Sequence, residues 1–125
     1  MAISMTMPIL VVDDYNTMLR ILRNLLRQLG FTNIDEANDG AAALNKLRAK
    51  PYQLVISDWN MAPMSGPELL QRLRADERLQ RTPFLMVTAD GRDGVPDRSG
   101  ASASITKPFN AVALKQKLVS VLGEF

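Results

Sequence analysis

Short apolar runs alternate with longer amphipathic ones along this chain. ILVVD (9–13) is apolar and β-branched until it ends in acid, the pattern of a buried strand. YNTMLRILRNLLRQLG (15–30) has helical spacing: Met18, Leu22, Leu25, Leu26 and Leu29 share one face, and Arg20, Arg23 and Arg27 share another. Gly30 is its stop signal. TNIDEA (32–37) reads as a second strand, and DGAAALNKLRA (39–49) as a second helix with Asp39 as its N-cap. QLVISD (53–58) is again a buried strand ending in acid, and GPELLQRLRAD (66–76) a helix with proline in its first turn. PFLMVT (83–88) is a strand ending in a hydroxyl, and ASIT (103–106) a short strand stopping just before lysine. NAVALKQKLVSVLGEF (110–125) is a last helix, capped by Asn110.

Strands therefore alternate with helices, and the first, third and fourth strands are apolar on both faces. That combination predicts an α/β fold, a parallel sheet covered by helices on both sides. One segment breaks the pattern. DGRDGVPDRSG (90–100) falls where a fourth helix would complete five βα units, yet it carries Gly91, Gly94, Gly100 and Pro96. A helix here is expected to be short, distorted or absent. A linker reading would leave only 25 residues behind it, too few for a second core. The 125 residues thus read as one domain, with 1–7 as a flexible N-terminal extension.

Composition narrows the chemistry. Hydrophobic residues make up 46% and charged residues 22%, as in ordinary globular domains. Without cysteine there is no disulfide and no thiolate chemistry, and without histidine the commonest general base and zinc ligand is missing. No apolar run approaches the roughly 18 residues a membrane span needs. The start, MAISMTMPI, lacks the basic and apolar regions of a signal peptide, so a cytoplasmic protein is expected. The net charge of +2 is too mild to argue for nucleic acid.

In open α/β sheets ligands bind beyond the carboxyl ends of the strands. The first strand delivers Asp13 and Asp14 there, the third Asp58, the fourth Thr88 and the fifth Lys107. Taken singly each is ordinary: a turn or cap acid, a strand threonine, a surface lysine. Together they converge on one edge. Two like charges ~4 Å apart cost about 4 kcal/mol at an effective dielectric of ~20. Three carboxylates must therefore protonate, pair or bind a cation. Lys107 offsets one charge. Oxygen donors without His or Cys favour Mg2+ over zinc. A metal, an ammonium and a hydroxyl can each hold one phosphoryl oxygen, and an aspartate can be the nucleophile that forms an acyl phosphate.

The motifs VVDD (11–14), SDWNM (57–61), VTA (87–89) and KPF (107–109) resemble the receiver domains of two-component response regulators, most closely the CheY-like chemotaxis type. MLRILRNLLRQLGF (18–31) and ALNKLRA (43–49) look similar too, so the resemblance covers nearly the whole chain. It implies a doubly wound, flavodoxin-like (βα)5 fold with strand order 2-1-3-4-5. Asp58 would be the phosphoacceptor. Asp14 and Asp58 would ligate Mg2+ directly, Asp13 would act through a water, and the Asn60 backbone carbonyl would add a ligand. Thr88 and Lys107 would contact the phosphoryl oxygens. Asn60 and Asp90 stand where relatives tune access of hydrolytic water, and the Lys107–Pro108 bond is expected to be cis.

Four departures accompany the resemblance. Ala62 stands where relatives carry proline, with Pro63 one place late. Ser65 replaces a frequent acid. The span from Thr88 to Lys107 is a few residues short. Ser104 occupies the place, three before the lysine, of an aromatic ring that swings inward on phosphorylation in relatives. The implied function is a stand-alone receiver phosphorylated by a histidine kinase or histidine phosphotransfer protein, acting in chemotaxis through phosphorylation-dependent binding, with the flagellar switch among possible targets. It would be a monomer. Alternatives are a phosphate sink, or an interaction module indifferent to phosphorylation, because the fourth helix and the switch ring are altered. An aspartyl-phosphate phosphohydrolase ranks last: such enzymes typically carry an acid two residues after the nucleophile, and Asn60 stands there.

Overall fold

The computed structural model describes residues 4–88, 102–107 and 109–123. Five strands form one parallel sheet: β1 (Ile9–Val12), β2 (Ile34–Ala37), β3 (Leu54–Asp58), β4 (Phe84–Thr88) and β5 (Ala103–Thr106), in the order β2-β1-β3-β4-β5. The described helices are α1 (Asn16–Gln28), α2 (Gly40–Ala49), α3 (Gly66–Ala75) and, after β5, α4 (Ala111–Leu122). The expected α/β fold and strand order are both present. Residues 90–100, where a disrupted helix is expected, lie outside the described residues, as does Pro108 with its expected cis bond.

Burial follows the patterning. Every residue of β1, β3 and β4 is buried, whereas β2 and β5, at the sheet's two edges, are mostly half-buried. Alternate strand residues point to opposite faces. Leu10, Val12, Val55, Phe84 and Met86 pack with Leu44 and Leu47 of α2 and with Leu69, Leu70 and Leu73 of α3. Ile9, Val11, Leu54, Ile56, Leu85 and Val87 face the other way, onto Leu19, Leu22 and Leu26 of α1 and Leu114 and Leu118 of α4. Two described helices on each face leave the carboxyl edge clear of the core, where polar strand ends can gather.

The helix ends have local causes. Asp39 accepts from the Ala42 N–H at 2.7 Å and Asn110 from the Ala113 N–H at 2.9 Å, the two expected caps. Ser65, the replacement for an acid, caps α3 through the Glu68 N–H at 3.2 Å. Gly30, at φ +108°, follows α1 in a conformation that a side chain would strain. Gly123, at φ +102°, stops α4 at Leu122, so the helix is shorter than the sequence reading to 125.

The N-terminal extension needs correction. Met7 is buried, and Met5 packs against the core beside α1. The Met5 carbonyl accepts from the Thr32 N–H at 3.1 Å, and the Thr6 carbonyl accepts from Asn33 Nδ2 at 3.1 Å. Residues 4–7 are thus tied to the α1–β2 turn rather than left loose. These contacts also occupy Thr32 and Asn33, so β2 starts at Ile34 and not at 32.

Candidate functional site

The site grows from strand ends. Parallel register brings Asp58 level with Val87, and Thr88 level with Thr106. Beyond the ladder the pairing continues: the Asp13 N–H donates to the Ala37 carbonyl at 3.2 Å, Trp59 to Val87 at 2.9 Å and Lys107 to Thr88 at 2.8 Å. Asp13, Asp58, Thr88 and Lys107 are therefore held by sheet geometry. Asp13, Asp14, Asp58, Thr88 and Lys107 all lie at this carboxyl edge, as their spacing predicts.

Burial separates their roles. Asp13 is 2% exposed, Thr88 3% and Asp58 6%, while Asp14 and Asn60 are exposed. One carboxylate oxygen from each of Asp13, Asp14 and Asp58 lies within 4.8 Å of the others. Lys107 Nζ sits 3.0 Å from Asp58 Oδ1 and holds one charge. The Tyr15 N–H donates to Asp13 Oδ1 at 3.0 Å, but among the described residues the buried Oδ2 has no hydrogen-bond partner. Burial, above all, pushes the Asp13 carboxyl up to about 6; the Tyr15 N–H opposes that rise and the Asp58 charge adds to it. An unpartnered buried oxygen costs free energy. A hard divalent cation fits this donor set: it would neutralise the surplus charge, and water bound to it would give the idle oxygen a partner.

Thr88 Oγ1 donates to the Ile105 carbonyl at 3.5 Å, long enough to release readily. Ser104 is half-buried on β5, level with Met86, two strand positions before Thr106. Asp90 lies outside the described residues. Of the α1 arginines, Arg20 and Arg27 are exposed, whereas Arg23 is half-buried and paired with Glu36 at 3.2 Å.

Three features escape the sequence reading. Ala62, standing where relatives have proline, retains an N–H and donates it to Asp14 Oδ2 at 3.3 Å. The Met64 side chain fills the space that Gly40 leaves open at the start of α2. Gly66 lies against the backbone of Asp58. GP at 66–67 marks a helix start in the sequence, but what the glycine touches depends on tertiary packing.

Comparison with known proteins places this arrangement. The family model "Response regulator receiver domain" matches residues 9–119. The chemotaxis protein CheY of Pseudomonas aeruginosa is 48% identical over 118 residues, covering 92% of this chain and 95% of its own. The chemotaxis response regulator CheY4 of Vibrio cholerae shares the fold with a TM-score of 0.82 at 30% identity, over 94% of this chain and 99% of that one. The receiver domain of a Pseudomonas aeruginosa sensor histidine kinase, a structure with magnesium coordinated in its active site cleft, has a TM-score of 0.85 at 24% identity, over 95% and 99% of the two chains, a likeness of fold alone. Since the family match runs from β1 into α4 and takes in all five strand-end residues, the chain belongs to the response regulator receiver domain family, as a CheY-like receiver.

Proposed function

We propose that the chain accepts a phosphoryl group on Asp58 from a phosphohistidine donor, with Mg2+ bound by the acidic cluster, and that it signals through the phosphorylated form. The observation that carries this reading is the buried acceptor, with Lys107 Nζ 3.0 Å from one oxygen and two further aspartates close by. Asp58 attacks phosphorus; an O–P bond forms, the P–N bond breaks, and its electron pair leaves on the imidazole nitrogen. The Lys107 ammonium shifts from the carboxylate to a transferring oxygen, and the Thr88 hydroxyl exchanges the Ile105 carbonyl for another. Asp14, Asp58 and the Asn60 carbonyl would hold the ion, with Asp13 behind them. The ion would supply charge neutralisation at the phosphoryl oxygens.

Turnover is not part of this reading, since Asn60 offers no acid at the place where aspartyl-phosphate hydrolases typically carry one. The partner class is a histidine kinase or phosphotransfer protein, for which exposed Arg20 and Arg27 on α1 are contact candidates. No described helix is long and apolar enough to cross a membrane; the cytoplasmic setting is part of the proposed role. Chemotaxis, with the flagellar switch as a target, is the setting favoured by the CheY likeness. A phosphate sink is the second reading, favoured by Ser104, which cannot provide an aromatic switch.

With Mg2+ and a small phosphodonor, the intact mass is expected to rise by one phosphoryl group, and Asp58→Asn should show no gain. An equal gain in the variant would refute the assigned acceptor. Pull-down of a flagellar switch peptide with and without beryllofluoride separates a signalling output from a sink.

A further inference from the structure

The geometry points to Gly66 as a positioning residue for the phosphoacceptor, one that seats the Asp58 backbone and the loop carrying Asn60. This rests on the Mg-dependent receiver reading above and adds a residue to it. Gly66 is the buried first residue of α3. A Cβ there would overlap the Asp58 carbonyl oxygen and lie 2.9 Å from Met86 Sδ and 3.0 Å from Trp59 Cα. The Gly66 N–H donates to the Trp59 carbonyl at 2.9 Å, closing residues 59–65 into a loop. The positive-φ glycines among the described residues are Gly30 and Gly123, so the requirement at 66 is space and not backbone conformation.

The identity of the touching atoms gives the contact its consequence. A methionine tip can move aside, but a carbonyl cannot turn away without rotating its peptide unit. The Asp58 carbonyl also accepts from Ser57 Oγ at 3.1 Å, and the following Trp59 N–H is tied to Val87 at 2.9 Å. A methyl group at 66 would therefore push either α3 away from the sheet or the Asp58–Trp59 peptide out of line. Each displaces Asn60 relative to the three carboxylates. Ligand groups held by packed neighbours lose function over displacements of about 1 Å.

The test compares Gly66→Ala, Gly66→Ala with Met86→Val, and Gly123→Ala. Each is read by thermal unfolding, by Mg2+ titration of Trp59 emission, and by hydrogen exchange of the 59–66 amides in metal-free protein. Gly66→Ala should weaken Mg2+ binding at least tenfold and speed metal-free exchange in this loop at least tenfold. Adding Met86→Val removes the sulfur from the contact and leaves the Asp58 carbonyl in place, so it should not recover Mg2+ affinity. Gly123→Ala, strained by φ +102° but with nothing within 4 Å of the added carbon, should lower the unfolding temperature and leave Mg2+ binding unchanged. Mg2+ binding within twofold of wild type in either folded Gly66 variant overturns the proposal. So does failure of both to fold, which would make the glycine structural only. If the wild-type chain itself ignores Mg2+, the receiver reading fails, and metal-free exchange still decides the role of Gly66.

Discussion

The two ends of the sheet handle their acids in opposite ways. At the amino-terminal side, Asp35 on β2 is satisfied twice over. Tyr52 donates its hydroxyl to Asp35 Oδ2 at 2.5 Å, Lys50 Nζ lies 2.9 Å from the same oxygen, and the ammonium also stands 5.1 Å from the centre of the Tyr52 ring. The Tyr52 hydroxyl, followed by Lys50, holds the Asp35 carboxyl below its ordinary value; burial, followed by the Asp35 bond, pushes the Tyr52 hydroxyl up. At the carboxyl edge, Asp13 is more deeply buried and less well partnered, and its carboxyl is pushed up to about 6. The same side chain on the same sheet is a staple at one end and a strained group at the other. A staple benefits the folded chain alone. The strained group is relieved by a proton or by a cation, and the cation is the role proposed for it above.

Removing the strain should therefore stabilise the empty protein and weaken the loaded one. Asp13→Asn is the change of largest expected effect: Mg2+ affinity should fall by a hundredfold or more, read by Trp59 emission. The metal-free variant should at the same time be more stable than wild type above pH 6. The sign follows from linkage. The folded-state value of about 6 exceeds the reference of 3.8, so the native state holds this proton more tightly than the unfolded chain. The cost of ionising Asp13 is absent below about pH 4, accumulates as pH rises towards 6, and is complete above. At 1.36 kcal/mol per unit it reaches about 3 kcal/mol. Denaturant unfolding of both proteins from pH 4 to 8 reads it, because carboxylates remote from this edge cancel in the difference and what remains belongs to Asp13 with its coupled neighbours Asp14 and Asp58. A stability gap that stays flat across that range would break the comparison between the two ends.

Legibility in the sequence follows the range of the interaction. The buried strands β1, β3 and β4, the caps at Asp39 and Asn110, and the gathering of Asp13, Asp14, Asp58, Thr88 and Lys107 follow from local periodicity and from one topological rule. The contacts that shape the site did not follow. Gly66 against the Asp58 carbonyl depends on how closely α3 approaches β3. The Tyr52–Asp35 bond joins residues 17 apart, on different strand approaches, through the sheet register. In the sequence Met5 and Met7 look like extension residues, because a two-methionine anchor has no period. Asp13 is legible in the sequence as a member of the acidic cluster, but not as the acid with an idle buried oxygen, since that depends on which neighbouring N–H groups face away.

The staple gives the smaller effects. Tyr52→Phe keeps the ring, its burial and the lysine over its face, and removes only the hydroxyl. A hydrogen bond to a charged acceptor contributes about 1.5–3 kcal/mol, and the partial exposure of Asp35 pulls the expected loss to about 1 kcal/mol. It should appear as a lower denaturant midpoint at unchanged slope, with Mg2+ titration of Trp59 identical to wild type.

Lys50→Met should cost less still. The pair is open to solvent, with the lysine side chain 45% and the Asp35 side chain 34% exposed, so screening leaves at most about 0.5 kcal/mol. The methionine keeps contact with the Tyr52 ring through its thioether. Without the ammonium, Asp35 keeps the Tyr52 hydroxyl as its partner, so no oxygen at this end becomes idle in the way that Asp13 Oδ2 is. The loss should vanish in 1 M salt, where exposed charges are screened within about 3 Å. The Asp13 effect, set by burial, should persist there. A Lys50→Met loss that survives high salt would show that the amino-terminal acid is also governed by burial, and the contrast between the two ends would then be one of degree.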